Sequence, residues 1–242
     1  MIEDAYRAFR DVERPVSLER SPYRRGDEND TVLRVILDLP LRDITDHLIG
    51  PYSGWAMTTV GTGRDYQYFL PRILQLALED PTWIGVEPPL LAWRIRESGW
   101  SDFSTEKREA VLAVFTHAMA RGVSAPPDED DSYLSWWSGA VALDWPVENG
   151  CELIRSMRGE NVALQLATSI VDAYSDLLKK GRLKAQFAEE YEDEVALEAM
   201  TRFLLSEETE ARIIEVSNRA SADDVSMILE PALAYIELFR SS

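Results

Sequence analysis

One cysteine, Cys151, and two histidines, His47 and His117, are all the thiol and imidazole this 242-residue chain contains. A single thiol closes no internal disulfide, and three such side chains fall short of the four ligands of a structural zinc site. The sequence therefore fits a reducing, cytoplasmic setting. Long apolar runs are missing as well: a charge-free stretch such as residues 162–171 is well short of the ~20 apolar residues of a membrane-spanning helix. Acidic Glu3 and Asp4 stand where a secretory signal carries basic residues, and no apolar segment follows them, so no export signal is expected.

Basic residues are scarce, 25 against 43 acidic, giving a net charge of −18. Such a charge repels polyphosphate at long range, so nucleic acid is not an expected partner and a basic protein is. The charge is unevenly spread. Residues 187–242 hold 14 acids and four arginines, a local charge of −10, whereas residues 1–25 carry six arginines against five acids. The two ends therefore have the means to attract one another or a neighbouring copy, and a homo-oligomer is one expected outcome.

With 45% apolar and 28% charged residues, the composition is that of a folded globular chain. Its period is helical. Ala5, Tyr6 and Phe9 predict a short helix ending before Pro15, and residues 31–39 form an apolar run that reads as strand or helix, with helix favoured. Leu41, Ile44 and Leu48 predict a helix broken at Gly50-Pro51, and Tyr52, Trp55, Ala56 and Thr59 predict another. After a turn at Gly61-Thr62-Gly63, Asp65 reads as an N-cap for the stripe Phe69, Leu70, Ile73, Leu74 and Ala77, with Pro71 expected to kink it or displace its start.

Further helices are expected before Gly99, from Ser104 to Gly122, and around Tyr133, Trp136, Trp137 and Ala140, with Pro146 starting the next. The strongest pattern is Val162, Leu166, Ala167, Ile170, Val171, Tyr174, Leu177 and Leu178, one helix stopped by Gly181. Leu183, Phe187, Tyr191, Val195 and Ala199 step by four towards Phe203. Ser206 and Ser221 read as N-caps, with a kink expected at Pro231 in the last helix. No Asn-Gly or Asp-Gly pair joins alternating apolar runs, so no hairpin is expected. The fold class is all-α, an orthogonal bundle or stacked helical hairpins, in a single domain with a candidate sub-boundary at residues 124–131, where two prolines precede four acids.

Candidate chemistry is sparse. Arg42, Arg64, Asp65, Tyr68 and Arg72 crowd one segment with Trp55 and Tyr66, a set suited to an anionic or aromatic ligand because guanidinium groups grip oxyanions with paired N–H donors. The plainer alternative, ion pairs that satisfy helix ends, carries more weight. Asp43, Asp46 and His47 read as a solvated helix face rather than metal ligands, and no metal or cofactor is expected. Gly61-Thr62-Gly63 lacks the Lys-Ser/Thr of a phosphate loop, and Cys151 reads as an inert buried thiol. If Tyr133 and Trp137 face the core, Trp136 faces solvent, a ligand or another subunit.

The residues Pro40-Leu41-Arg42-Asp43-Ile44-Thr45, Tyr52, Ala56, Thr59, Gly61, Asp65-Tyr66 and Phe69-Leu70-Pro71-Arg72-Ile73-Leu74 resemble the signature block of a family of uncharacterised bacterial proteins over about residues 9–77. The resemblance implies a helical bacterial protein with Arg42, Asp65 and Arg72 as positions of interest. Family members often carry a Cys-x-x-Cys pair before the Pro-Leu-Arg segment; Ser21 and Arg24 stand in those places here, which implies that any thiol or zinc role is lost. The function expected from all of this is a non-enzymatic protein-binding module of a bacterial cytoplasm, immunity-like or antitoxin-like, with a basic partner and neither nucleic acid nor membrane. The alternatives are a small-ligand-binding protein or enzyme using Arg42, Asp65 and Arg72, and self-association through the aromatic helices.

Overall fold

A computed structural model describes residues 1–19, 29–80, 87–130, 132–186, 193–219 and 223–240, and among these every regular element is helical. The all-α expectation holds. The chain divides into two compact units, Met1–Phe115 and Thr116–Ser242, and the division falls inside one helix, α6 as numbered below. Ser21, Arg24, Phe187, Tyr191 and Ser221 lie outside the described residues.

The first unit holds α1 (Ile2–Ala8), α2 (Asn29–Asp38), α3 (Asp46–Trp55), α4 (Gly63–Glu79), α5 (Pro88–Glu97) and the start of α6 (Thr105–Ser124). The ambiguous run at 31–39 is helical. Central to the unit is α4, whose Tyr66, Phe69, Leu70, Ile73, Leu74 and Ala77 are fully buried, and α1, α3 and α5 all pack on it. The helix runs straight through Pro71 in sequence. An interior proline costs ~3 kcal/mol, and the nine buried residues of α4 more than offset that at ~1.5 to 3 kcal/mol per large apolar side chain.

Gly50-Pro51 likewise fails to break its helix: both lie within α3, after a short 3₁₀ turn at Leu41–Asp43. The burial of Ile49, Tyr52 and Ser53 on either side carries the chain past the single lost hydrogen bond. The start of α4 also differs from expectation, since Thr62 is the N-cap and Asp65 its reciprocal partner. Thr62 Oγ1 accepts from the Asp65 amide at 3.3 Å and Asp65 Oδ2 accepts from the Thr62 amide at 2.7 Å, so two helix-end donors are satisfied together. Thr62→Ala is therefore expected to destabilise the first unit by about 1 kcal/mol; a urea midpoint equal to that of the parent chain would contradict this.

The second unit comprises the end of α6, then α7 (Tyr133–Ala142), α8 (Val147–Ser156), α9 (Glu160–Asp172), α10 (Tyr174–Lys180), α11 (Glu194–Leu204), α12 (Glu207–Ser217) and α13 (Asp223–Arg240). Here α13 lies along α9, α12 packs on both, and α11 packs on α7 and α8. Gly122 does not close α6 but sits within it, where a Cβ would come within 3.1 Å of the Tyr133 amide nitrogen. Glycine there permits close approach rather than termination. The following loop is tied to α9: the buried Gln165 side chain donates to the carbonyls of Ala125 at 3.0 Å and Asp130 at 2.5 Å, and Asn161 donates to that of Ser124 at 2.9 Å.

The long pattern over 162–178 is two helices, α9 and α10, joined at Ala173. Periodicity does not register the join because both pieces meet the same neighbour: Tyr174 at the start of α10 stacks on Tyr235 of α13 at 4.3 Å, beside the packing of α9 on α13. Gly181 does stop α10, in the left-handed conformation at φ 69°. In α11 the stepping Val195–Ala199 stripe is not the buried one. Asp193 caps the helix by accepting from the amides of Val195 and Ala196, a start that turns Ala196, Leu197, Met200 and Phe203 inward and leaves Val195 68% exposed.

Candidate functional site

The arginines of the first unit are engaged with different partners. Arg42 grips Glu3 through two parallel bonds of 2.8 Å, and its guanidinium lies 3.8 Å from the centre of the Tyr6 ring. That fork holds the Glu3 carboxyl below its usual range. Arg72 donates from Nε to the Ile44 carbonyl at 2.7 Å, and with Arg42 it lies in electrostatic reach of the half-buried Tyr6 hydroxyl, whose pKa burial raises. The fold thus gathers Arg42 and Arg72 around α1. Arg64 is exposed and pairs with Glu13 at 3.7 Å, Asp65 is committed to the capping box, and Tyr68 packs edge-on against Phe69 at 5.0 Å. These three are not drawn to the Arg42–Arg72 pair.

Deeper in the same unit is a cation that sequence reasoning passed over. Arg94 of α5 is buried, 5% exposed, and donates from Nη1 to the Ala56 carbonyl at 2.5 Å and from Nη2 to the Gly54 carbonyl at 3.1 Å. Those carbonyls belong to the end of α3, where the helix leaves acceptors without intrahelical donors and its dipole is negative. Arg94 is a helix cap delivered from another helix.

Trp136 faces inward, contrary to the expectation that it turns outward. It is fully buried, as are Tyr133 and Trp137, because α7 carries no charged residue and a helix apolar all round packs on every side. Cys151 is buried, and burial raises its thiol pKa, the reverse of what a reactive thiolate needs. Asp46 accepts from the His47 amide at 2.7 Å. Among the described residues no group of three or more His, Cys, Asp or Glu side chains has the arrangement of a metal site, and no helix is long and apolar enough to cross a membrane.

Two surfaces of the second unit differ in character. On α13, Met227, Glu230, Ala234, Glu237 and Leu238 recur at helical spacing on the face opposite buried Leu229, Ala232 and Ile236. Met227 is 74% and Leu238 46% exposed, so apolar side chains stand in solvent among carboxylates. On α11, exposed Val195 lies beside exposed Glu194 and Glu198.

The other surface is a cleft of about 590 Å³ between the α8–α9 turn and α12, lined by Arg155, Arg158, Arg212 and Arg219 with Glu160, Glu208 and Glu215. Arg155 binds Glu208 at 2.8 Å and Arg219 binds Glu215 at 2.8 Å. The other two arginines have no carboxylate partner among the described residues. Arg212 donates to the carbonyls of Ile154 at 2.9 Å and Arg155 at 3.3 Å; Arg158 donates to the carbonyl of Met157 at 2.9 Å and to the same Arg155 oxygen. Burial, and then the nearness of Arg158, lowers the Arg212 pKa. The sequence holds the cleft in two separate pieces, the Arg155/Arg158 spacing and the Glu208, Arg212, Glu215 and Arg219 series of α12 and its end, which only the fold brings together.

No protein-family model, curated protein or solved structure matches this chain.

Proposed function

We propose that this chain is a non-catalytic protein-binding module of a bacterial cytoplasm, immunity-like or antitoxin-like in role, that engages a basic protein through the outer faces of its C-terminal helices. The observation that supports this most is the α13 stripe, where exposed Met227 and Leu238 share a face with Glu230 and Glu237. Apolar side chains left in solvent and surrounded by charge mark interaction surfaces. The sign selects the partner: a net charge of −18, more than half of it in residues 187–242, draws cationic surfaces and repels anionic ones.

Several carboxylates there sit in exposed ion pairs, such as Glu198 with Arg202 at 4.0 Å and Glu215 with Arg219 at 2.8 Å. Pairs of that kind contribute at most ~1 kcal/mol, so a partner's lysine or arginine exchanges with them at little cost. In the same reading the segment 9–77 is framework, its Arg42, Asp65 and Arg72 bracing α1, α3 and α4.

Affinity capture from the source cells tests this. A basic protein is expected to be retained at ~0.1 M salt, released by ~0.5 M salt as screening shortens the reach of the charges, and lost when Met227→Lys and Glu230→Lys are combined. Retention that ignores both salt and the double variant would contradict the reading.

A further inference from the structure

We propose that the arginine-lined cleft between the α8–α9 turn and α12 binds a small dianionic phosphomonoester, with Arg158 and Arg212 on its phosphoryl oxygens. This goes beyond the partner-binding reading and stands independently of it, on a different surface.

The charges lining the cleft decide its preference. Glu208 and Glu215 are already neutralised by Arg155 and Arg219, and Glu160 sits exposed at the rim, in the first turn of α9. Arg158 and Arg212 are left as the positive pair, and the lining as a whole, four arginines against three glutamates, is net positive although the chain carries −18. Both guanidiniums donate to the one Arg155 carbonyl oxygen, which holds like charges together, with Glu208 and Glu215 acting on Arg212 through space while bonded to Arg155 and Arg219. Each has further N–H groups beyond those its carbonyl bonds use.

A dianion neutralises both guanidiniums where a monocarboxylate neutralises one, and a tetrahedral phosphoryl group offers separate oxygens to two forks. Met157, Ala211 and Val216 line the same cleft and give an organic body an apolar wall. The volume of about 590 Å³ is that of a small-molecule site.

Titration calorimetry of the full chain with phenyl phosphate, inorganic phosphate and benzoate tests the assignment. Phenyl phosphate is expected to bind most tightly, inorganic phosphate more weakly for want of apolar contact, and benzoate weakest. Arg158→Gln and Arg212→Gln are each expected to weaken phenyl phosphate at least about tenfold, since each removes a charge-assisted pair of hydrogen bonds, and Glu160→Gln to tighten it by removing a like charge at the rim. Arg212 also braces the end of α8, so its variant is checked by circular dichroism; Arg158 is exposed and its variant keeps the test decisive. No saturable heat with phenyl phosphate up to about 10 mM, or wild-type affinity in Arg158→Gln, would overturn the proposal.

Discussion

Gly150→Val is expected to lower the stability of the second unit by about 3 kcal/mol or more, and Gly150→Ala by about 2 kcal/mol, despite the ~1 kcal/mol that alanine gains over glycine in a helix. Gly150 lies in α8 against the indole of Trp137, and a Cβ there would fall 2.2 Å from Nε1 and 2.4 Å from Cε2. Trp137 has nowhere to go: it is fully buried and its ring meets Phe203 of α11 edge-on at 5.9 Å. Either the indole leaves its rotamer or α8 moves off α7. Valine makes both worse, being branched at the clashing atom and a poorer helix former. Urea unfolding followed by tryptophan fluorescence and near-ultraviolet circular dichroism reads the effect, and an unshifted midpoint in Gly150→Val would show that the ring does not rest on the glycine backbone.

Arg94→Leu is expected to cost the first unit about 3 kcal/mol. The side chain satisfies the carbonyls of Gly54 and Ala56 with charge-assisted bonds, each of which contributes ~1.5 to 3 kcal/mol. Leucine fills part of the volume and supplies no donor, so the end of α3 keeps buried acceptors without a partner. Some of the loss is returned, because a buried guanidinium itself carries a desolvation penalty. Arg94→Lys separates charge from geometry: one ammonium does not span two carbonyls as a planar fork does, so it is expected to recover less than half of the loss. Full recovery by lysine would show that charge alone matters at this position.

The architecture was legible because packing between helices writes a 3.6-residue period into the chain, and the stripe of α4 shows it plainly. Terminators were less legible. Gly122, Pro71 and the Gly50-Pro51 pair each have a local preference that burial overrode, and the join between α9 and α10 leaves no mark in a pattern that continues across it. An amphipathic reading turns Trp136 outward; the absence of any charge from Tyr133 to Ala142 is the sign in the sequence that no side of α7 is strongly polar. Of the candidate residues, Asp65 was readable as part of a helix start, since Thr62-x-x-Asp65 has the spacing of a capping box. The partners of Arg42 and Arg94 were not, because Glu3, Gly54 and Ala56 come into contact through tertiary packing alone. The pairing of Arg158 with Arg212 is of the same kind.

The most direct measurement of the central claim is the affinity of the full chain for its purified basic partner, titrated at ~0.1 M and ~0.5 M salt with the parent chain and with the combined Met227→Lys and Glu230→Lys variant. Binding through an acidic and apolar face of α13 predicts an affinity that falls at least about tenfold with salt, as screening removes the charge attraction, and falls further in the variant at both concentrations. Equal affinity for both proteins at both salt concentrations would contradict the account.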